Sequence, residues 1–136
     1  ILRPVSRARR RDKDTAPRTG EPTTAAPFHA EPGLAAALEV PAAGTLSRTL
    51  FQDDLVKVVV FGFAQGEELS EHTATRPAII QVVRGELGLT LGDERVTARE
   101  GAWIHMSAGL RHAVSARVPS VMLLTLLSPG AGPAGG

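Results

Sequence analysis

Short runs of β-branched and aliphatic residues, each closed by a glycine turn, follow one another from Gly66 to His112. One segment runs from Gly66 through Glu67-Glu68-Leu69-Ser70-Glu71 to His72, and on through Ala78-Ile-Ile-Gln-Val-Val-Arg84 to Gly85. A second runs from Gly101 through Trp103, His105 and Met106 to Gly109 and His112. Between them, the alternating runs Leu87–Leu91 and Arg95–Arg99 are joined by Gly92-Asp93. Period-two runs of this length, punctuated by Gly and Asp, read as strands and tight turns. Many short antiparallel strands bury their apolar faces and manage their edges by wrapping into a small barrel. A histidine near the end of a strand in each segment gives that barrel a polar end.

The rest of the chain fits around this frame. Residues 1–32 contain Pro4, Pro17, Pro22, Pro27 and Pro32 among Arg, Thr and Ala, with no apolar period, and read as a disordered tail. Gly33 to Val40 is expected to form a short helix ended by Pro41, and Thr45 to Gln52 a first edge strand. Leu55–Ala64 is a strand dense in Val and Phe, with Gly62 marking a bend or close contact. Gly66–Glu71 reads as a polar loop delivering His72. Pro77–Val83 and Val121–Leu127 are nearly continuous apolar runs, which implies burial on both faces. In a barrel this small, a second subunit would cover one such face, so a homodimer is expected. The Gly/Pro-rich stretch 129–136 reads as a flexible tail, which leaves about eight or nine strands between residues 45 and 128.

The two histidine segments resemble the paired motifs of the cupin superfamily, in particular its small single-domain members with a type-2 conserved barrel. Gly66, His72 and Gly85 fall in register with the first motif, and Gly101, Gly109 and His112 with the second. The departures are Ala74 and Ala78, where that pattern has its second His and its Glu, and Ser107 and Ala116, where it has Pro and Asn. The resemblance spans roughly Phe51 to Leu127. It implies an all-β fold, a double-stranded β-helix or jelly roll, and a pocket inside the barrel. It also implies a divalent metal (Fe, Mn, Zn, Ni or Cu) held by histidines, of which this chain keeps His72 and His112. Imidazole suits those ions, but two ligands hold one weakly.

His105 is the candidate third ligand, although alternation with Ile104 and Met106 can turn it to the opposite face. Gln81, Trp103 and Met106 are candidate pocket-lining residues, and Arg76 and Arg111 are placed to meet an anion near the barrel mouth. The expected function is capture of a small ligand, a weakly held divalent metal, or both. The alternative is a metal-dependent enzyme, oxygenase- or isomerase-like, built on His72, His112 and a third ligand such as His105.

Other chemistries are excluded by residue type. There is no cysteine, hence no disulfide and no thiolate nucleophile or ligand, which fits a reducing compartment and an expected cytoplasmic location. The sequence has no glycine-rich phosphate loop with Lys and no nucleophile elbow. Seven basic residues against Asp12 and Asp14 give residues 1–20 a balance of +5, while residues 21–136 carry −4, so the barrel offers no nucleic-acid surface. Arg9-Arg10-Arg11 is followed by Asp12, Lys13 and Asp14, not by an apolar stretch, so no export leader is expected there and no membrane association.

Overall fold

The structure is a computed structural model that describes residues 27–128. The first 26 residues, including Arg9–Arg11, and the expected flexible tail at 129–136 lie outside it. Among the described residues nine strands run in chain order: β1 (Thr45–Gln52), β2 (Val56–Phe63), β3 (Glu68–His72), β4 (Ala78–Arg84), β5 (Glu86–Leu91), β6 (Glu94–Arg99), β7 (Trp103–Met106), β8 (His112–Ala116) and β9 (Ser120–Leu127). They form two antiparallel sheets, one of order β1-β2-β9-β4-β7 and one of order β3-β8-β5-β6. The chain crosses from one sheet to the other repeatedly, which is the jelly-roll arrangement.

The main core lies between the sheets. Phe63, Ile80, Val82, Leu87, Leu89, Val114 and Met122 meet there with almost no exposure, joined by Ala78, Ala98, Met106 and Ala116. Each large side chain so buried contributes roughly 1.5–3 kcal/mol against staying in water. On β4 the burial alternates, with Ala78, Ile80 and Val82 inside and Ile79, Gln81 and Val83 half-buried on the outer face. The near-continuous apolar run therefore serves two different cores.

The second core covers the outer face of the five-stranded sheet. Val60, Val121, Leu123 and Leu50 pack there against Ala37, Leu34, Leu38 and Val40. The segment expected to be a helix over Gly33–Val40 holds only a 3-10 turn, Leu34–Ala36. Its apolar residues are used as a strap laid across the sheet, and so short a segment gains more from that docking than from helical bonds. Gly62 marks the closest approach, since a Cβ there would meet Leu38 Cδ2 at 3.1 Å and Val40 Cα at 3.4 Å. The strap begins earlier than expected. Within the anticipated tail, His29 pairs with Glu31 at 2.7 Å and lays its ring 5.5 Å from that of Phe51. Among the described residues, no helix is long and apolar enough to cross a membrane.

Turns fix the register. Gly85, between β4 and β5, has φ 93°, a conformation favourable only to glycine. It also leaves room for Ser120, whose Oγ accepts from Glu86 N at 3.1 Å and donates to the Val118 carbonyl at 2.7 Å. That buried hydroxyl ties the β4–β5 turn to the start of β9.

Candidate functional site

Strands β3 and β8 meet antiparallel in the four-stranded sheet, with Glu68 opposite Ser115 and Leu69 opposite Val114. Continued without interruption, that register would set Glu71 opposite His112. An irregularity between Leu69 and His72 shifts it, and His72 becomes the register partner of His112. The stretch expected to be a loop, Gly66–Glu71, is thus strand from Glu68 onward, with a bulge that re-aims its end. On its other side His112 is opposite Leu91 of β5.

His112 is buried, at 7 % exposure, on the face of β8 that also carries Val114 and Ala116. Burying an imidazole without hydrogen bonds costs about 1–3 kcal/mol. Here Nδ1 donates to the Leu110 carbonyl at 3.0 Å, since a carbonyl only accepts. That bond fixes the tautomer in which Nε2 carries the lone pair, the arrangement typical of a ligating or proton-accepting histidine. Leu110 itself packs against the main core, so the anchor is held by apolar contacts.

The surroundings of this end are tied down. Gly109 N donates to Ala74 O at 2.8 Å, joining the β3–β4 crossover to the turn before β8. The Arg76 side chain donates to the Leu127 carbonyl at 2.8 Å. Arg111 reaches Glu71 at 3.2 Å and Asp93 at 3.3 Å, bridging β3 to the β5–β6 turn. The two arginines expected to receive an anion are thus engaged within the chain. The Arg111 bridges are exposed, so they orient the edge more than they stabilise it.

The positions where the cupin pattern has its second His and its Glu hold no ligand atoms. Ala74 is half-buried, and Ala78 lies in the core opposite Met106, whose flexible thioether side chain packs among its apolar neighbours. Among the described residues no group of three or more His, Asp or Glu side chains gathers as a metal site.

The other expected site residues separate by face. His105 is opposite Ile79 and Trp103 opposite Gln81, on the outer side of the five-stranded sheet. Trp103 is 59 % exposed, and His105 is exposed as well. His105, expected as a third ligand, and Gln81 and Trp103, expected to line the barrel pocket, thus lie on the face of this sheet away from the main core. Ile104 and Met106 take the inner face, and strand alternation sends their neighbours out. Met106 is inside, as a packed core residue at 3 % exposure.

Two concavities lie outside the barrel. One, of about 290 Å³, sits between the strap and the sheet, lined by His29, Glu31, Leu34, Leu50, Phe51 and Val58. Sequence reading missed it because His29 falls in a Pro-rich stretch. The adjacent Phe28-His29 pair was the available signal, since aromatic rings are rare in this chain. The other, also about 290 Å³, lies along β3, β5 and β8 and includes Glu68, Ser70, Thr90 and Ser115.

No family model matches the sequence, and no curated protein matches it either. Solved structures do match. A conserved protein of unknown function from Streptococcus pyogenes is 31% identical, with TM-score 0.67 over 72% of this chain and 86% of that one. A cupin superfamily protein from Desulfitobacterium hafniense is 26% identical, with TM-score 0.69 over 75% of this chain and 94% of that one. A cupin 2 conserved barrel domain protein from Leptotrichia buccalis is 25% identical, with TM-score 0.66 over 70% of this chain and 46% of that one. With its two-sheet jelly roll, its pair of glycine-and-histidine motifs and these neighbours, the chain belongs to the cupin superfamily.

Proposed function

We propose that this protein is a binding module, which captures a small ligand at the His72/His112 end of the barrel and holds a divalent ion there only weakly. The observation that carries the reading is the register pairing of His72 with a buried His112 whose Nδ1–H is committed to the Leu110 carbonyl. Imidazole is a group that can meet a ligand's donor or a divalent ion, and the register brings two of them to the same end of the barrel. A full metal centre of the family's kind does not fit the residues present. Ala74 and Ala78 supply no donor, and His105 is on the other face of its sheet. The enzymatic alternative needs a third ligand to hold a metal with open positions, and among the described residues none takes that place. The absence of cysteine supports a reducing compartment, and we place the protein in the cytoplasm on that ground.

Elemental analysis of protein purified without added metal, followed by calorimetric titration with Zn²⁺ and Mn²⁺, tests this. Substoichiometric metal on purification and weak binding that His112→Ala and His72→Ala each abolish are expected. Full occupancy by a tightly held ion, or unchanged binding in both variants, would overturn the reading.

A further inference from the structure

The strap is fixed to the five-stranded sheet at two places. Arg48 donates to the Ala37 carbonyl, 2.6 Å away. Nearer the N-terminus, His29 sets its ring 5.5 Å from that of Phe51, with Nε2 at 2.7 Å from Oε2 of Glu31. Between these two places lies the hollow of about 290 Å³ lined by His29, Glu31, Leu34, Leu50, Phe51 and Val58. An irregularity in β1 builds its wall. Thr49 is opposite Val59 and Phe51 opposite Val58, so Leu50 is the extra residue. Regular alternation would send Leu50 and Phe51 to opposite faces, whereas the bulge turns both toward the hollow.

We propose that this hollow is a second ligand site, separate from the His72/His112 end, and that it takes an arylalkylammonium ion: one aromatic ring on a short arm that ends in a protonated amine. Its volume is close to the lower limit of small-molecule pockets, roughly 300 Å³, and equals that of about ten waters, which suits a single ring and its arm. Leu34, Leu50, Phe51 and Val58 offer that ring an apolar bed.

The polar part is Glu31, held in place by His29. Its side chain is 27 % exposed, and neither Lys nor Arg lines the hollow. Oε2 takes His29, while Oε1 has no partner among the described residues. A carboxylate has lone pairs for several donors. This decides between occupants. A purely apolar molecule in the hollow would strip water from Oε1 without giving it a donor, which is costly. An anion would meet like charge. A bare divalent ion needs several oxygen ligands, and these walls are hydrocarbon. An ammonium group brings donor and charge together, and a bond so assisted is about twice as strong as a neutral one. The site lies outside the five-stranded sheet, with the main core between it and His112.

Titration followed by amide NMR tests this, with phenethylamine, phenethyl alcohol and hydrocinnamate as probes, which share the ring and the arm and differ in charge. Phenethylamine is expected to shift the amide signals of Leu34, Phe51 and Val58 and to bind roughly tenfold more tightly than the alcohol, with hydrocinnamate giving no shift. Glu31→Gln, at the rim, is expected to remove that preference and bring the amine to the affinity of the alcohol. Val58→Phe, at a half-buried position, fills the hollow and is expected to abolish binding of both; should that variant fail to fold, Glu31→Gln decides alone. His112→Ala is expected to leave phenethylamine binding unchanged, so the failure of one site is distinguishable from the failure of the other. The absence of any shift at millimolar amine overturns the inference. So does an equal response to amine and alcohol, a preference for the amine that survives in Glu31→Gln, or shifts centred on β8 around His112.

Discussion

At the scale of single residues, two positions decide more than their size suggests. Gly85 must keep φ 93° and lies against the β9 start, where a Cβ would overlap Ser120 Oγ and come within 2.6 Å of the Pro119 carbonyl oxygen. The left-handed conformation alone costs a side chain about 1–2 kcal/mol. The overlap is with the residues that hold the turn, so it cannot be relieved by rotating a flexible tip. Gly85→Ala is expected to lose about 3 kcal/mol or more in urea unfolding, and a loss below 1 kcal/mol would show that the β4–β5 turn has another way to close. Gly101, with φ 91° and nothing within 4 Å of the place a Cβ would take, provides the control, because it carries the conformational cost without the clash. His112 is the other such position. Its Nδ1 bond to Leu110 makes it a satisfied barrel histidine and gives it a defined accepting nitrogen, and only ligand titration separates the two roles.

At the scale of elements, the strap changes how the five-stranded sheet is read. A half-exposed apolar sheet face is unfavourable in water, and residues 34–40 cover its centre with Leu34, Ala37, Leu38 and Val40. Leu38 rests over Gly62, where a Cβ would meet its Cδ2 at 3.1 Å. Gly62→Val is therefore expected to destabilise the protein by about 1–3 kcal/mol through overpacking. Leu46→Ala, at a position 49 % exposed, is expected to stay within about 0.5 kcal/mol. Thermal unfolding of the two variants side by side checks this, and equal effects would mean that the strap does not bear on the sheet. The bulge in β3 is the second element-scale device. One extra residue between Leu69 and His72 brings histidine, and not glutamate, opposite His112.

At the scale of the whole molecule, two cores share one sheet, and a chain without cysteine has no disulfide to brace them. Stability comes from the side chains between the sheets and under the strap. Dialysis against a chelator is accordingly expected to leave the melting temperature unchanged within a degree or so, because apolar burial and not ion binding ties the strands together. A fall of several degrees would reveal an ion that does so. The strands that pair are far apart in sequence, β9 with β2 and β4 for instance, so closure depends on long-range contacts.

The amino-acid sequence by itself determined the all-β class, most of the strands other than β3, the turn glycines, and His72 and His112 as the residues in register with the two motifs. These follow from period-two patterning and local turn chemistry, which act between near neighbours. It did not determine the face on which each histidine lies, or what covers the outer sheet. Alternation shows that His105 and Met106 are on opposite sides, but not which side is inside; only the packing of Met106 against Ala78 in the core decides it. The bulge before His72 leaves no local mark, because register is settled by which side chains the neighbouring strand buries. Residues 33–40 read as a helix in isolation, and their docking on β2 and β9 made them a strap, because burial of Leu38 and Val40 outweighs the weak helical preference of so short a segment.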